Sequence, residues 1–409
     1  MKITVSELIV QYLERLGIDV IFGMPGAHVL PIYDQLYDSN VKTVLVKHEQ
    51  GAAFMAGGYA RVSHQQGSHK ISACIVTAGP GATNLVTGIA NAYAERLPVL
   101  IITGETSTYI FGKGGLQESS GEGGAIDQGV LFSSITRYHK LIERTDYLGQ
   151  VLNQATRALF SREPGPVLLS IPYNVQKEMV DVDVLEHLHL EHAMPLSAQP
   201  RADNIVARDA SLAALVELIH DAQYPVIVAG YGCIKAGARE VVANLSAALN
   251  IPVASSLKAK GVVSEGSALS LGCLGVTSNG QAYRYIVEHA DLVIFLGAGF
   301  NERTSYLWDK KLLAGKKVAQ VDRDAGQLGK VFKPDVAIHG DIRAVLTALI
   351  AELEAEASAR GNLDKLDDHR EMENLPLAEE AAAQRAKFHL MEARSEERRV
   401  GKECATLCR

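Results

Sequence analysis

The 409-residue chain is poor in cysteine, carries no excess of positive charge and has no long uncharged apolar run. Its five cysteines are Cys74, Cys233, Cys273, Cys404 and Cys408, and none makes a CxxC pair. That pattern fits a reducing compartment, so a cytoplasmic location is expected. Cys74 sits inside an apolar run and is expected as a small core residue rather than a ligand. The net charge of −7 argues against a nucleic-acid partner, which would call for a strongly basic footprint. No apolar run approaches the ~18 residues that a membrane span needs. The first helical stretch carries Glu7, Glu14 and Arg15, which a signal peptide would not. What the chain does have is 47% apolar residues, enough to build cores for two or three domains of ~100–200 residues each.

The first 180 residues alternate helix and strand patterns. Thr4-Val5-Ser6-Glu7 predicts a capping box, followed by a stripe of Leu8, Tyr12 and Leu16 and a stop at Gly17. Strands are predicted over 19–22 and 42–47, with helices over 28–37 and 50–62. The apolar runs 71–77 and 98–103 suit buried parallel strands, and 81–93 between them suits a helix. Repeated βα units imply an open parallel sheet covered on both faces. Residues 181–208 lose periodicity and read as a linker, whose His187, His189 and His192 are taken as solvated side chains. A second α/β unit is predicted over 209–353, with strands at 225–229, 291–296 and 317–321. Two of these run into Gly230-Tyr231-Gly232 and Gly297-Ala298-Gly299. Such glycines either let backbone approach a ligand at the carboxyl edge or make tight strand-to-helix turns. Lys235 stands where a full GxGxxG would need its last Gly. Residues 354–394 are charged and Ala-rich. The stretch 395–409 fits no fold logic, is similar to translated adapter sequence, and is expected to be a non-native tail.

Two segments concentrate chemistry. Phe22-Gly23-Met24-Pro25-Gly26-Ala27-His28 closes a strand with a Gly/Pro turn. Lys47-His48-Glu49-Gln50-Gly51 puts a carboxylate where a strand becomes a helix. Both fall at the carboxyl edge of one sheet, where α/β proteins bind ligands. Taken alone, such a Glu49 is more often an anion favoured by a helix N-terminus than a catalytic group.

Together with TAGPGATNLVTGIANAYAERLPVLIITGE and EPGPVLLSIPYNVQ, these segments follow the order and spacing of the thiamine-diphosphate-dependent enzymes. The pattern resembles the acetohydroxyacid (acetolactate) synthases, continuing more weakly at LSLGCLGV, GAGFNERTS and VDRDAGQLGK. The resemblance implies α/β architecture with two doubly wound parallel-sheet domains here. These would be a pyrimidine-binding domain (1–180) and a Rossmann-like central domain (209–353), with the third, pyrophosphate-binding α/β domain missing. It implies a carboligase or decarboxylase acting on 2-keto acids, with pyruvate to acetolactate the leading reaction, and a homodimer or homotetramer at full length. Glu49 matches the Glu that bonds the cofactor's pyrimidine nitrogen and activates the thiazolium carbon. Pro25 and Gly26 match the turn facing the cofactor. Thr77, Gly79, Pro80 and Asn84 match the loop along the pyrimidine. His28 departs from the small residue usual in acetohydroxyacid synthases. It is similar to benzaldehyde-lyase-like members, where this His moves protons in the active site, so an aldehyde lyase or carboligase is the alternative. Gln117 is the candidate for the family's active-site Gln, with Gln128 in reserve, because the loop before Ile135-Thr136 is longer than usual. Gly299 replaces the first Arg of the family's GARFDDR, which puts FAD in doubt. Mg²⁺ is expected through a Gly-Asp-Gly motif in the missing domain, since His339-Gly340-Asp341-Ile342 is not that motif. No residue of this chain is therefore expected to ligate the metal, and the chain alone is expected to be inactive, a binding module at most.

Overall fold

A computed structural model describes residues 2–65, 70–161, 163–186, 188 and 210–359. The expected linker histidines, most of the Ala-rich segment and the 395–409 tail lie outside the described residues. The chain divides into two compact units, Met1–Ala202 and Asp203–Arg409. Among the described residues no helix is long and apolar enough to cross a membrane.

Unit 1 opens as its first residues dictate. Thr4 caps the helix Val5–Arg15, its hydroxyl accepting from the Glu7 N–H at 3.2 Å. Leu8 and Tyr12 are wholly buried, and Leu16 nearly so. Six strands then form one parallel sheet: β2 (Val20–Gly23), β3 (Lys42–Leu45), β4 (Ser72–Val76), β5 (Val99–Glu105), β6 (Tyr138–Leu141) and β7 (Val167–Pro172). Their order is β3-β2-β4-β5-β7-β6. The remaining pair, β1 (Lys2–Thr4) and β8 (Met179–Asp181), makes a separate antiparallel ribbon that ties the start of the unit to its end.

Alternation along the central strands sends side chains to two cores, because successive residues of a strand face opposite ways. Ala73, Ile75, Leu100, Ile102, Val167 and Leu169 join the core beneath the first helix. Cys74, Val76, Val99, Ile101 and Leu168 join the core under the helices Glu49–Gln65 and Val86–Ala94. Cys74 is fully buried, and that burial pushes its thiol up to about 12. It packs as a small apolar residue, as expected.

Unit 2 repeats the scheme with β9 (Pro225–Ala229), β10 (Val253–Ser255), β11 (Ser270–Cys273), β12 (Leu292–Leu296), β13 (Lys317–Asp322) and β14 (Val336–His339). The order β11-β10-β9-β12-β13-β14 is the doubly wound order of a Rossmann-like sheet. Leu292, Ile294 and Leu296 enter one core, and Val293 and Phe295 the other. The last helix, Ile342–Ala359, runs past Leu353, where the central unit was expected to end.

Candidate active site

In unit 1 the chain passes from β2 to β3 on one side and then crosses back to β4 on the other. The strand order therefore reverses between β2 and β4, which is where open α/β sheets bind ligands. The carboxyl edge there collects four segments. Pro25-Gly26 follows β2, Glu49 follows β3, Thr77–Gly81 follows β4, and Glu105 closes β5.

Glu49 occupies the first turn of the helix Glu49–Gln65 and is half-buried. Its Oε2 accepts from Asn84 Nδ2 at 2.9 Å, while no hydrogen bond reaches Oε1 among the described residues. A Cβ placed on Gly81 would lie 3.7 Å from that Oε1 and 2.8 Å from Thr77 Cγ2. Gly81 thus lets its backbone pack directly on Thr77, beside Glu49 Oε1. Gly26 does the same from the other side, since a Cβ there would come within 2.6 Å of Thr77 Cβ. Gly79 has φ +58°, a left-handed conformation that glycine adopts without strain.

The second group is His28, Thr77 and Gln117. His28 is 7% exposed, and its Nδ1 lies 3.2 Å from Thr77 Oγ1. Thr77 Oγ1 donates in turn to Gln117 Oε1 at 3.3 Å. Burial holds the imidazole's proton affinity below its ordinary value, with a bond to Gln117 working weakly the other way. Gln117 is itself a non-glycine residue at φ +55°, an uncommon conformation. Its carbonyl fills the place that a Cβ on Gly79 would take, 2.8 Å away.

Of the residues singled out in the sequence, the structure gathers Glu49 with Asn84, and His28 with Thr77 and Gln117, across Gly26, Gly79 and Gly81. Pro25 and Pro80 are exposed at the rim. Gln128 goes elsewhere: it is 2% exposed and bonded to Thr103, Ser170 and Ser119. Sequence reasoning missed Glu105, wholly buried behind the loop. The available signal was an ionisable residue closing an otherwise apolar strand.

In unit 2 the glycines after β9 and β12 are filled by one another. A Cβ on Gly230 would meet Gly297 O at 2.0 Å, and one on Gly232 would meet Gly297 Cα at 2.7 Å. They are close-packed turns, not an open cradle. Among the described residues no group of three or more His, Cys, Asp or Glu could hold a metal ion.

Residues 3–123 match the family described as thiamine pyrophosphate enzyme, N-terminal TPP binding domain, and residues 212–349 match its central domain. The chain belongs to the thiamine pyrophosphate enzyme family. Within it, the chain is similar to acetolactate synthases. It is 35% identical over 354 residues to a probable acetolactate synthase large subunit of Methanocaldococcus jannaschii, covering 85% of this chain and 56% of that protein. It is 34% identical over 371 residues to the acetolactate synthase isozyme 1 large subunit of Escherichia coli, covering 90% and 61%. It is 33% identical over 369 residues to an acetolactate synthase large subunit of Corynebacterium glutamicum, covering 90% and 55%. The chain thus spans little more than half the length of these thiamine pyrophosphate enzymes.

Proposed function

We propose that this chain supplies the pyrimidine-binding (1–180) and central (209–353) parts of a thiamine-diphosphate-dependent enzyme that joins 2-keto acids, with pyruvate to acetolactate the leading reaction. The observation that carries the reading is Glu49. Its carboxylate stands beside Gly81 at the switch point, one oxygen bonded to Asn84 and the other without a donor among the described residues.

The residues fit the pyrimidine of thiamine diphosphate. Gly26, Gly79 and Gly81 let the backbone close directly on Thr77 and Gln117, where a Cβ would clash, and Asn84 holds Glu49 Oε2 while Oε1 lies beside Gly81. When bound, the cofactor supplies a thiazolium carbon able to act as a carbanion. Glu49 would hold or share a proton at Oε1 with the pyrimidine ring, the acid–base step that a Gln could not perform. His28 would be a second proton carrier, neutral at neutral pH because it is buried. Gln117 and Thr77 would fix its ring. His28 is also the residue that favours the second reading, an aldehyde lyase or carboligase of the benzaldehyde-lyase kind.

We assign Mg²⁺ to none of the described residues, and route no step through a flavin, since the unit 2 glycines are consumed by their own packing. The reading includes a homodimer or homotetramer. It is supported by exposed Leu45 on edge strand β3 and by exposed Phe54 and Met55 on the helix after Glu49. It also places the protein in a reducing, cytoplasmic setting. This 409-residue chain by itself is proposed to give no turnover, with or without added cofactor and Mg²⁺.

The test is Glu49→Gln in a full-length enzyme built on this chain. The substitution is nearly isosteric and keeps a bond to Asn84, so the fold should persist. Deuterium exchange at C2 of bound thiamine diphosphate should slow by ~10²-fold or more, the usual cost of losing acid–base help. Equal exchange rates would reduce Glu49 to a helix-end anion. Acetolactate as product from pyruvate, against aldehyde release from 2-hydroxy ketones, separates the two substrate readings.

A further inference from the structure

The end of β5 holds a carboxyl group that the proposed chemistry does not use. Glu105 is 0% exposed. Its Oε1 accepts from the Thr106 N–H at 2.7 Å and from the Ser119 N–H at 3.1 Å. Its Oε2 lies 2.5 Å from Ser119 Oγ. Gln128 decides where the protons are. It gives its amide protons to Thr103 Oγ1 at 2.6 Å and Ser170 Oγ at 3.0 Å. Its Oε1 is turned at Ser119 Oγ, 3.2 Å away, so two acceptors, this amide oxygen and Glu105 Oε2, face a hydroxyl that has a single proton to give. The Gly79 N–H approaches the same serine oxygen at 3.4 Å. With the Gln128 amide so oriented, both contacts are satisfied together only when the carboxyl carries a proton of its own.

We infer that Glu105 works as a neutral carboxylic acid that donates to Ser119 Oγ and thereby positions the loop carrying Gln117 against the Thr77–Gly81 segment. Its functional meaning rests on the proposed role of Gln117; its protonation state rests on the proton count. The surroundings agree. Every bonded partner of Glu105 is neutral, and burying an unpaired carboxylate is unfavourable. Burial raises its proton affinity and outweighs the bonds from Ser119 and Thr106, which work the other way, while the neighbouring Glu118 carboxylate adds a little in the raising direction. The other titratable groups on the elements around it are Tyr109, Lys113, Glu122 and Asp127 on the loop, Cys74 on β4, His28 on the turn against Gly104, and Tyr173 and Lys177 beyond β7. None of these is bonded to Glu105, and Lys177 lies instead over the Tyr173 ring. Ser119 is only 3% exposed, so the loop is pinned at this residue. Gln117, two residues earlier, packs its carbonyl on Gly79 and its side chain on Thr77. Releasing Ser119 would let both contacts drift.

The experiment compares wild type, Glu105→Gln and Glu105→Ala in the 409-residue chain, by thermal unfolding against pH and by hydrogen exchange. A carboxyl whose folded pKa is raised costs nothing below the unfolded value of ~4.3. Stability then falls as pH rises above that value, because the unfolded chain releases a proton that the folded chain keeps. Gln copies the neutral acid, with an N–H in place of the O–H, and does not titrate. Glu105→Gln should therefore match wild type at acid pH and melt higher at neutral pH. Glu105→Ala should speed exchange across residues 112–120 by about tenfold or more, and Glu105→Gln should keep it slow. Should the Ala variant fail to fold, Ser119→Ala removes the same bond and is expected to give the same exchange. A Glu105→Gln protein that melts lower than wild type at neutral pH would mean an anionic Glu105 facing a turned-over Gln128 amide, and would overturn the proposal. Unchanged exchange at 112–120 on loss of the carboxyl or the hydroxyl would overturn the positioning role. Neither readout involves turnover. A Gln117→Ala enzyme with full activity would remove Gln117 from the site reading and leave the protonation result standing.

Discussion

Two buried titratable groups lie on contacting elements of the site and respond to pH in opposite directions. A Cβ on Gly104, next to Glu105, would strike the His28 backbone at 2.3 Å, so the turn bearing His28 packs directly on the end of β5. His28 has its proton affinity lowered by burial. Above its unfolded value of ~6.5 it is neutral in both states and costs nothing. As pH falls through that value the unfolded chain takes up a proton that the folded chain refuses, so stability is lost toward acid. His28→Gln should flatten the acid side of the melting curve between about pH 7 and pH 5, and an unchanged acid slope in that variant would show that another group carries it. Glu49, His28, Thr77, Asn84 and Gln117 were singled out in the sequence by their resemblance to family motifs, and the structure brings Glu49 to Asn84 and His28 to Thr77 and Gln117. Glu105 was not. Its partners Ser119 and Gln128 lie far along the chain, and the bonds that join them cross a loop with no period to read. Gln128 illustrates the same blindness: counting along the loop offered it as a site residue, whereas its amide is spent inside the protein.

The strands and helices that frame the site follow apolar patterning closely, and the departures have local causes. The helix predicted over 28–37 begins as a 3₁₀ turn, Ala27–Val29, and becomes α-helical only at Leu30. Pro31 near its start lacks the N–H that a helix interior would need. The helix predicted over 81–93 is two pieces, Pro80–Thr83 and Val86–Ala94, with Asn84 at the join. That break is what lets the Asn84 amide reach Glu49. The ribbon of β1 and β8 was invisible, because three-residue strands carry no usable alternation. Gly79 is the residue on which this local geometry turns. It sits at φ +58°, and a Cβ there would press on the carbonyl of Gln117. Gly79→Ala should cost ~1–2 kcal/mol for the left-handed backbone alone. It should also displace the Gln117 loop, which would register as faster exchange across 112–120. A variant with wild-type stability and exchange would show that the loop is not seated on Gly79.

Each unit carries its own pair of cores, and no buried apolar residue is shared between the unit 1 and unit 2 clusters. In unit 1 the sheet is covered on both faces, and the β1–β8 ribbon closes the unit by pairing its first strand with its last. Among the described residues the first core extends to Leu185 and Leu188. A doubly covered sheet of this size lies well inside the range of independently folding domains, ~50–250 residues. The division into two such units was readable from the loss of periodicity after 180. The place where the first core ends was not, because Leu185 and Leu188 look like isolated apolar residues in a polar stretch. A protein comprising residues 1–190 should therefore unfold cooperatively on its own, with sigmoidal loss of helical circular dichroism on heating. Ending it at residue 177 instead removes β8, Leu185 and Leu188, along with the carbonyl of Leu185 that accepts from Arg15 at 2.8 Å. It also strips the antiparallel partner from β1. The shorter piece should melt lower by several degrees, consistent with loss of ~1–3 kcal/mol of buried apolar contact. A 1–190 protein that melts without cooperativity would mean that unit 1 is not a folding unit by itself. Equal melting of the two pieces would mean that the ribbon and the two leucines contribute nothing to its stability.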